Sequence, residues 1–267
     1  FPLRGLVTVT GVSGSGKSSL VQDILVPALY KAKGKTTDAP GTYDLLLGHQ
    51  NIDDVVFVDQ SPIGKSSRSN PASFVGAFDA IRAIYAKAAL AVERGYTQGT
   101  FSFNAGNGRC PTCSGSGFEH VEMQFLSDVY LRCPDCDGTR FRVEVREVKV
   151  NGKSISDVLE LTVSEAIAFF ADIKGGAEVL RTLQPLADVG LDYVRLGQPV
   201  PTLSGGEAQR LKLAGHLAES AGPDGGRPIA MLPRRIKPED PTKPRGKLFV
   251  FDEPTTGLHF DDIAKLL

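Results

Sequence analysis

The chain has 267 residues, room at roughly 150 per domain for one large domain or two ordinary ones with a sizeable core. Lys and Arg number 30 against 31 Asp and Glu, a net charge of -1, which excludes bulk electrostatic attraction to nucleic acid or an acidic membrane. No apolar run approaches the roughly 18 residues of a spanning helix, so membrane spans are excluded as well.

An apolar run over 5–10 predicts a strand, and 16–31 a helix. A strand over 54–58, a loop over 60–72 and a helix over 73–92 follow, then a β-prone run over 118–125 and a strand over 141–150. Helices are expected over 163–172, 175–189 and 205–219, the last with Leu211, Ala214 and Leu217 on one face, before a buried strand over 248–251. Strands bounded by helices at both ends, with a different middle, predict an α/β core carrying an inserted module. Phe1 at the start and an opening amphipathic pattern over 261–267 lead us to expect a piece of a longer protein.

Glycine is the deviant count at 29, above the roughly 7% expected, and such a surplus points to turns or phosphate cradles. Gly11-Val12-Ser13-Gly14-Ser15-Gly16-Lys17-Ser18 matches G-x-x-x-x-G-K-[ST] between the first strand and helix. Backbone N–H groups can surround a phosphate only where side chains are absent, hence Gly11, Gly14 and Gly16. Lys17 adds charge at the β- and γ-phosphates, Ser18 offers a hydroxyl to Mg²⁺, and Ser13, Ser15 and Ser19 complete the cradle. The strand over 248–251 ends in Asp252 and Glu253, at the sheet edge where ligands bind. Asp252 is placed to hold Mg²⁺ and Glu253 to polarise an attacking water. Between these motifs Ser204, Gly205, Gly206 and Glu207 open a helix. Taken alone they read either as an N-cap or as a second anion site.

The four cysteines all fall between 110 and 136. Cys110-x-x-Cys113, nineteen residues, then Cys133-x-x-Cys136 is four-cysteine zinc spacing. Four thiolates suit a structural, tetrahedral Zn²⁺ in a reducing, cytoplasmic compartment, while buried free thiols or a redox pair remain alternatives. The two pairs repeat C-P-x-C-x-G-x-x-F, ending at Phe118 and Phe141, two knuckles around one metal. Two stretches are locally basic: 61–109 with six cations against two acids, net +4, and 227–247 with seven against two, net +5 and five prolines. The prolines mark the second as a surface loop; the first is equally a solvated face or a nucleic-acid surface.

The P-loop, the L-S-G-G-E at 203–207 and the apolar strand ending in Asp252-Glu253 together resemble the ATP-binding cassette ATPases. That resemblance implies ATP sandwiched between the P-loop of one cassette and the signature of another, and it marks Gln60 as the residue sensing Mg²⁺ and the attacking water. Lys17 and Ser204 lie 187 positions apart with the cysteine module between them, a departure from compact cassettes. Asp59-Gln60-Ser61-Pro62-Ile63-Gly64, Arg68-Ser69-Asn70-Pro71, Arg94-Gly95-Tyr96, Phe101-Ser102-Phe103-Asn104, Leu196-Gly197-Gln198-Pro199 and the segment from Asp252 to His259 resemble the second, C-terminal cassette of the UvrA family of excision-repair ATPases.

The resemblance implies a P-loop ATPase core over 1–72 and 203–267, with a loop insertion at 220–246. It also implies an inserted helical signature domain over 73–202 carrying zinc knuckles at 108–141. Expected cofactors are ATP, Mg²⁺ and Zn²⁺; catalytic residues Lys17, Gln60 and Glu253; Mg²⁺ ligands Ser18, Gln60 and Asp252. Expected partners are damaged double-stranded DNA, the first cassette of the same protein, a second copy and a UvrB-type repair protein. Lys65, Arg68, Arg94 and Arg109 are candidate phosphate contacts, assigned from charge and position. A paralogue protecting against DNA-binding drugs is the alternative, and a transporter ATPase, which leaves the zinc module idle, is the third.

Overall fold

Two apolar pentapeptides distant in sequence form the sheet of the first unit. The structure, a computed structural model, describes residues 1–3, 5–59, 61, 63, 66, 68–121, 129–220 and 246–254. β1 (Asp54–Val58) pairs in parallel with β6 (Lys247–Phe251), in register from Asp54 opposite Lys247 to Val58 opposite Phe251. Val55, Val56 and Val58 are buried, consistent with the unbroken apolar run that a covered parallel strand needs. Leu29, Ile52 and Val55 make the small core of this unit.

The helix expected over 16–31 forms with a change of winding: a π-helical stretch, Ser19–Leu25, leads into α1 (Val26–Ala32). Pro27 explains the adjustment, because it has no N–H to return to the carbonyl four residues earlier. That carbonyl, on Asp23, instead accepts from the Gly41 N–H at 2.8 Å. The strand expected over 5–10 is not paired among the described residues, and Leu6, Val7 and Val9 are exposed. An apolar run becomes a strand only where a neighbour pairs with it, and among the described residues the sheet of this unit holds β1 and β6 alone.

The second unit, holding the described residues from 61 to 220, is mostly helical. Its first part comprises α2 (Pro71–Phe74), α3 (Ala77–Tyr85), α4 (Ala89–Glu93), the antiparallel hairpin β2 (Phe118–Val121) and β3 (Val129–Arg132), and α5 (Val143–Arg146). The short pair β4 (Lys149–Val150) and β5 (Lys153–Ser154) leads into α6 (Ile155–Glu160), α7 (Val163–Ala171), α8 (Ala177–Asp188) and α9 (Gly205–Ser220). The single helix expected over 73–92 is broken by Gly76, whose φ of 81° is left-handed, a conformation that ends helices. Reciprocal side-chain and backbone bonds start α2 (Asn70 with Ser73), α6 (Ser154 with Asp157) and α7 (Thr162 with Glu165), each a capping box.

The strand expected over 141–150 is a second correction. Val145 and Val148 are buried while Val143 is 59% exposed, so an i, i+3 face has won over alternation and α5 forms. In α9 the buried apolar side chains are Ala208, Leu211, Ala214 and Ala218, with Leu217 turned outward at 37% exposure. One continuous core runs through this unit, with Tyr85, Phe101, Phe103, Phe141, Phe170, Leu183 and Leu186 all essentially inaccessible. Each such side chain contributes about 1.5–3 kcal/mol by leaving water. Among the described residues no helix is long and apolar enough to cross a membrane. The loop insertion expected at 220–246 lies, over 221–245, outside the described residues.

Candidate nucleotide and metal sites

In the phosphate loop, Gly14 and Gly16 take φ of 77° and 86°, values that side chains disfavour. A Cβ on Gly11 would stand 2.8 Å from the Ser15 hydroxyl, which would have to turn aside. The Ser15 N–H donates to the Val12 carbonyl at 3.2 Å, and the Lys17 ammonium donates to the carbonyls of Gly11 and Val12 at 3.0 and 2.9 Å. Lys17 is therefore folded over its own loop. Ser13 lies in the turn ahead of Gly14, Ser18 stands in helical backbone just before the π-helical stretch and makes no capping bond, and these loop residues are largely exposed.

Asp252 and Glu253 follow β6 directly, in the same unit as the phosphate loop. The Asp252 N–H donates to the Val58 carbonyl at 3.3 Å, extending the ladder by one bond. Glu253 is exposed with φ of 44°, a left-handed conformation that carries strain for a non-glycine residue and recurs at functional positions. Gln60 and Lys65 lie outside the described residues.

The signature residues belong to the second unit. Glu207 accepts from the Ser204 N–H at 2.7 Å, while the Glu207 N–H donates to the Ser204 hydroxyl at 3.3 Å. This reciprocal pair starts α9, with Gly205 and Gly206 in its first turn. The Tyr193 hydroxyl donates to Glu207 at 2.8 Å and accepts from Arg210 at 3.3 Å, and Arg210 also donates to the Gly190 carbonyl at 3.0 Å. Partial burial pushes the Glu207 carboxyl up, but the Ser204 N–H, the Tyr193 and Ser204 hydroxyls and the Arg210 charge outweigh it and hold the carboxyl below its ordinary value.

The four cysteine sulfurs lie within 4.8 Å of one another, with Cys110, Cys133 and Cys136 buried. Cys113 and Cys136 Sγ are 3.7 Å apart, close to the edge of about 3.8 Å that a tetrahedron with Zn–S near 2.3 Å requires. The repeat in sequence is a repeat in backbone. Ser114, Gly115 and Gly117 have φ of 51°, 86° and 75°; Asp137, Gly138 and Arg140 have 46°, 81° and 70°. Each knuckle also holds the other: Cys133 N–H donates to the Gly117 carbonyl at 3.0 Å, and Cys110 N–H to the Arg140 carbonyl at 2.8 Å. The Gly117 N–H donates to Cys113 Sγ at 3.3 Å, and a backbone bond from Arg140 supports Cys136. Burial pushes the Cys136 thiol up to about 12, with Cys113 adding to the rise. Four sulfurs gathered at tetrahedral spacing make a donor set chemically suited to a thiophilic divalent ion.

Arg140 is the functional candidate that pattern reading missed. It is 2% exposed, its guanidinium lies 5.0 Å from the Phe103 ring centre and 5.8 Å from that of Phe118, and it donates to the Gly197 carbonyl at 2.9 Å. Burial pulls it down to about 10, against the opposing influence of Cys113, Glu160 and Cys136. The sequence did hold a signal, since Arg140 stands where the first copy of the repeat has Gly117. Among the candidate DNA contacts, Arg94 is paired with Glu147 at 2.5 Å and donates to the Glu144 carbonyl at 2.9 Å, while Arg109 donates to the Asn104 carbonyl at 3.1 Å. Arg68 sits on the turn before α2, where its carbonyl accepts from the Asn70 side chain at 3.2 Å.

The chain is thus a mixed α/β protein combining a glycine-rich loop, a capped S-G-G-E helix and a four-cysteine cluster. Over its whole length it is strongly homologous to UvrABC system protein A. Identity is 48% to the protein of Thermus thermophilus over 268 residues and 49% to that of Mycobacterium leprae over 267, covering all of this chain and 25% of each relative. The structure of UvrA2 from Deinococcus radiodurans matches with a TM-score of 0.76 and 45% identity, over 96% of this chain and 27% of that one. The chain spans about a quarter of the curated relatives it matches. No protein-family model matches it.

Proposed function

We propose that this chain is the second ATP-binding cassette of a UvrA-type damage-recognition protein acting in nucleotide excision repair in the cytoplasm. The observation that carries the reading is homology to UvrABC system protein A along the entire chain. ATP is the substrate, hydrolysed to ADP and phosphate when two cassettes pair. Gly11, Gly14 and Gly16 with Ser13, Ser15 and Ser19 cradle its phosphates, and Lys17 neutralises them. Ser18, Gln60 and Asp252 hold Mg²⁺, which supplies positive charge to the leaving phosphates. Glu253 and Gln60 orient the water. Ser204, Gly205, Gly206 and Glu207 present the signature to the nucleotide of the opposing cassette. Cys110, Cys113, Cys133 and Cys136 hold a structural Zn²⁺ that fixes the knuckles.

In this reading the partners are damaged double-stranded DNA, the other cassette, a second copy and a UvrB-type protein. Lys65, Arg68, Arg94 and Arg109 are the candidate phosphate contacts, with Arg94 the weakest of them because Glu147 already compensates its charge. The test is binding of lesion-bearing duplex by the full-length protein across a salt series: affinity is expected to fall steeply as salt rises, and salt-independent or undetectable binding overturns the reading. A second reading, a UvrA paralogue that binds DNA without feeding incision, is favoured by the match to a UvrA2 structure. Robust incision of damaged DNA with the companion repair proteins eliminates it.

A further inference from the structure

Arg140 occupies a place that neither the metal nor the nucleotide reading explains. An arginine in left-handed backbone, with φ of 70°, is a costly choice where the sister knuckle uses glycine. The two equivalent residues pack on each other: a Cβ on Gly117 would stand 2.8 Å from Arg140 Cγ. The first copy of the repeat thus vacates the space that the second copy fills with a cation. That cation is buried and faces Phe103 and Phe118, and its backbone is tied to the cluster, its carbonyl accepting from the Cys110 N–H at 2.8 Å and a backbone bond reaching Cys136.

The other end of the guanidinium reaches a junction. Gly197, whose carbonyl it bonds, donates its own N–H to Leu159 at 2.7 Å and has no room for a side chain, since a Cβ would meet Leu159 atoms at 2.9 Å. Its neighbour Leu196 accepts from the Ala72 N–H and donates to Leu161; the Val200 N–H donates to the Ser69 carbonyl. The turn Val200–Thr202 follows, and then Ser204 and α9.

We propose that Arg140 is a positioning residue that couples metal occupancy of the four-cysteine site to the segment 197–204, which delivers the signature serine. It rests on the reading of the cysteines as a divalent metal site. Four thiolates around a divalent ion carry a net charge of -2, and in a buried setting a fixed cation alongside stabilises that charge. By the same attraction, loading the metal holds the guanidinium in place and with it the Gly197 carbonyl. Charge and geometry both enter, because a planar fork can serve the cluster and a carbonyl at once, where an ammonium is a single point.

The experiment uses the full-length protein, with Cys133→Ser as the reference that subtracts metal bound elsewhere. Zn²⁺ affinity is measured by competition with a chromophoric chelator, the thiolate coordination by the Co²⁺ absorption spectrum, and the segment by amide hydrogen exchange. Arg140→Met is expected to weaken Zn²⁺ at this site tenfold or more, to alter the Co²⁺ spectrum and to speed exchange over 197–204. Stripping metal from the unsubstituted protein is expected to speed the same amides. Arg140→Lys is expected to recover part of the affinity but not the protection at Gly197, and it carries the test if Arg140→Met does not fold. Zn²⁺ affinity within twofold of the unsubstituted protein in both variants, or exchange over 197–204 that ignores metal, overturns the coupling. If the unsubstituted protein holds no more Zn²⁺ than Cys133→Ser, the metal reading itself falls, and the coupling with it.

Discussion

The knuckles and the phosphate loop are both glycine turns with left-handed residues, yet their glycines serve opposite purposes. A Cβ on Gly115 would run into the Phe103 carbonyl at 2.1 Å, and one on Gly117 into Arg140 and Gly138, each at 2.8 Å. A Cβ on Gly14 or Gly16 would meet nothing within 4 Å. The knuckle glycines let the protein pack on itself, so that site is closed around its own sulfur atoms. In the loop proposed to bind phosphate, Gly14 and Gly16 leave open space, as an anion arriving from outside would require. Damage to the closed region should therefore register as lost stability and lost metal, and damage around the open one as lost chemistry in a protein that still folds.

The largest effect expected tests the second half of that contrast. Glu253 is exposed and already left-handed, and glutamine has nearly the same shape, so Glu253→Gln leaves the backbone cost unchanged. Steady-state ATP turnover by the full-length protein should fall on the order of 10²-fold or more, because a positioned carboxylate contributes about that much, while nucleotide binding and the melting temperature stay as they were. Turnover within threefold of the unsubstituted protein would remove Glu253 from the mechanism.

A matched pair of glycine substitutions sharpens the contrast directly. Gly14 and Gly117 have nearly equal φ, 77° and 75°, so alanine costs each about 1–2 kcal/mol from backbone conformation alone. Only Gly117→Ala must also displace Arg140 and the Gly138 carbonyl, which brings its expected loss to about 2–4 kcal/mol. Denaturant melts should rank Gly117→Ala well below Gly14→Ala, with Zn²⁺ lost only in the former and nucleotide affinity only in the latter. Equal losses would show that the two turns differ less than their packing indicates.

How much of this was readable in advance follows the same division between local and distant causes. The cysteine pairs, the glycine loop and the capped start of α9 are short motifs whose residue types state their own geometry, and these segments take it. β1 and β6 were legible because a fully apolar run with turn residues after it has few other uses. The strand expected over 5–10 failed for a non-local reason, since nothing in those six residues says whether a neighbour is there to pair. Val143 and Val145 fit alternation while Val145 and Val148 fit an i, i+3 face, and burial of the latter pair decided for helix. Arg140 needed the structure, because an arginine two residues after a knuckle glycine reads as surface charge until its burial is known.

The smallest effect concerns Glu207, where the charge of one carboxylate can be separated from its shape. Its carboxyl is held below the ordinary value in the folded protein despite partial burial, so it adds stability at neutral pH. That contribution is complete above the unfolded value of about 4.3 and disappears as pH falls through the lower folded value. Glu207→Gln keeps an acceptor for the Ser204 N–H, so the capping box survives and the difference between the two proteins reports the charge. The group is partly in contact with solvent, which screens the interaction and limits the difference to well under about 1 kcal/mol at neutral pH. Melting temperatures of the two proteins should therefore differ slightly at pH 7 and converge below pH of about 4. A gap that stays constant into acid would mean that shape, not charge, is what the signature helix takes from Glu207, and that Tyr193 and Arg210 are arranged around a dipole and not an anion.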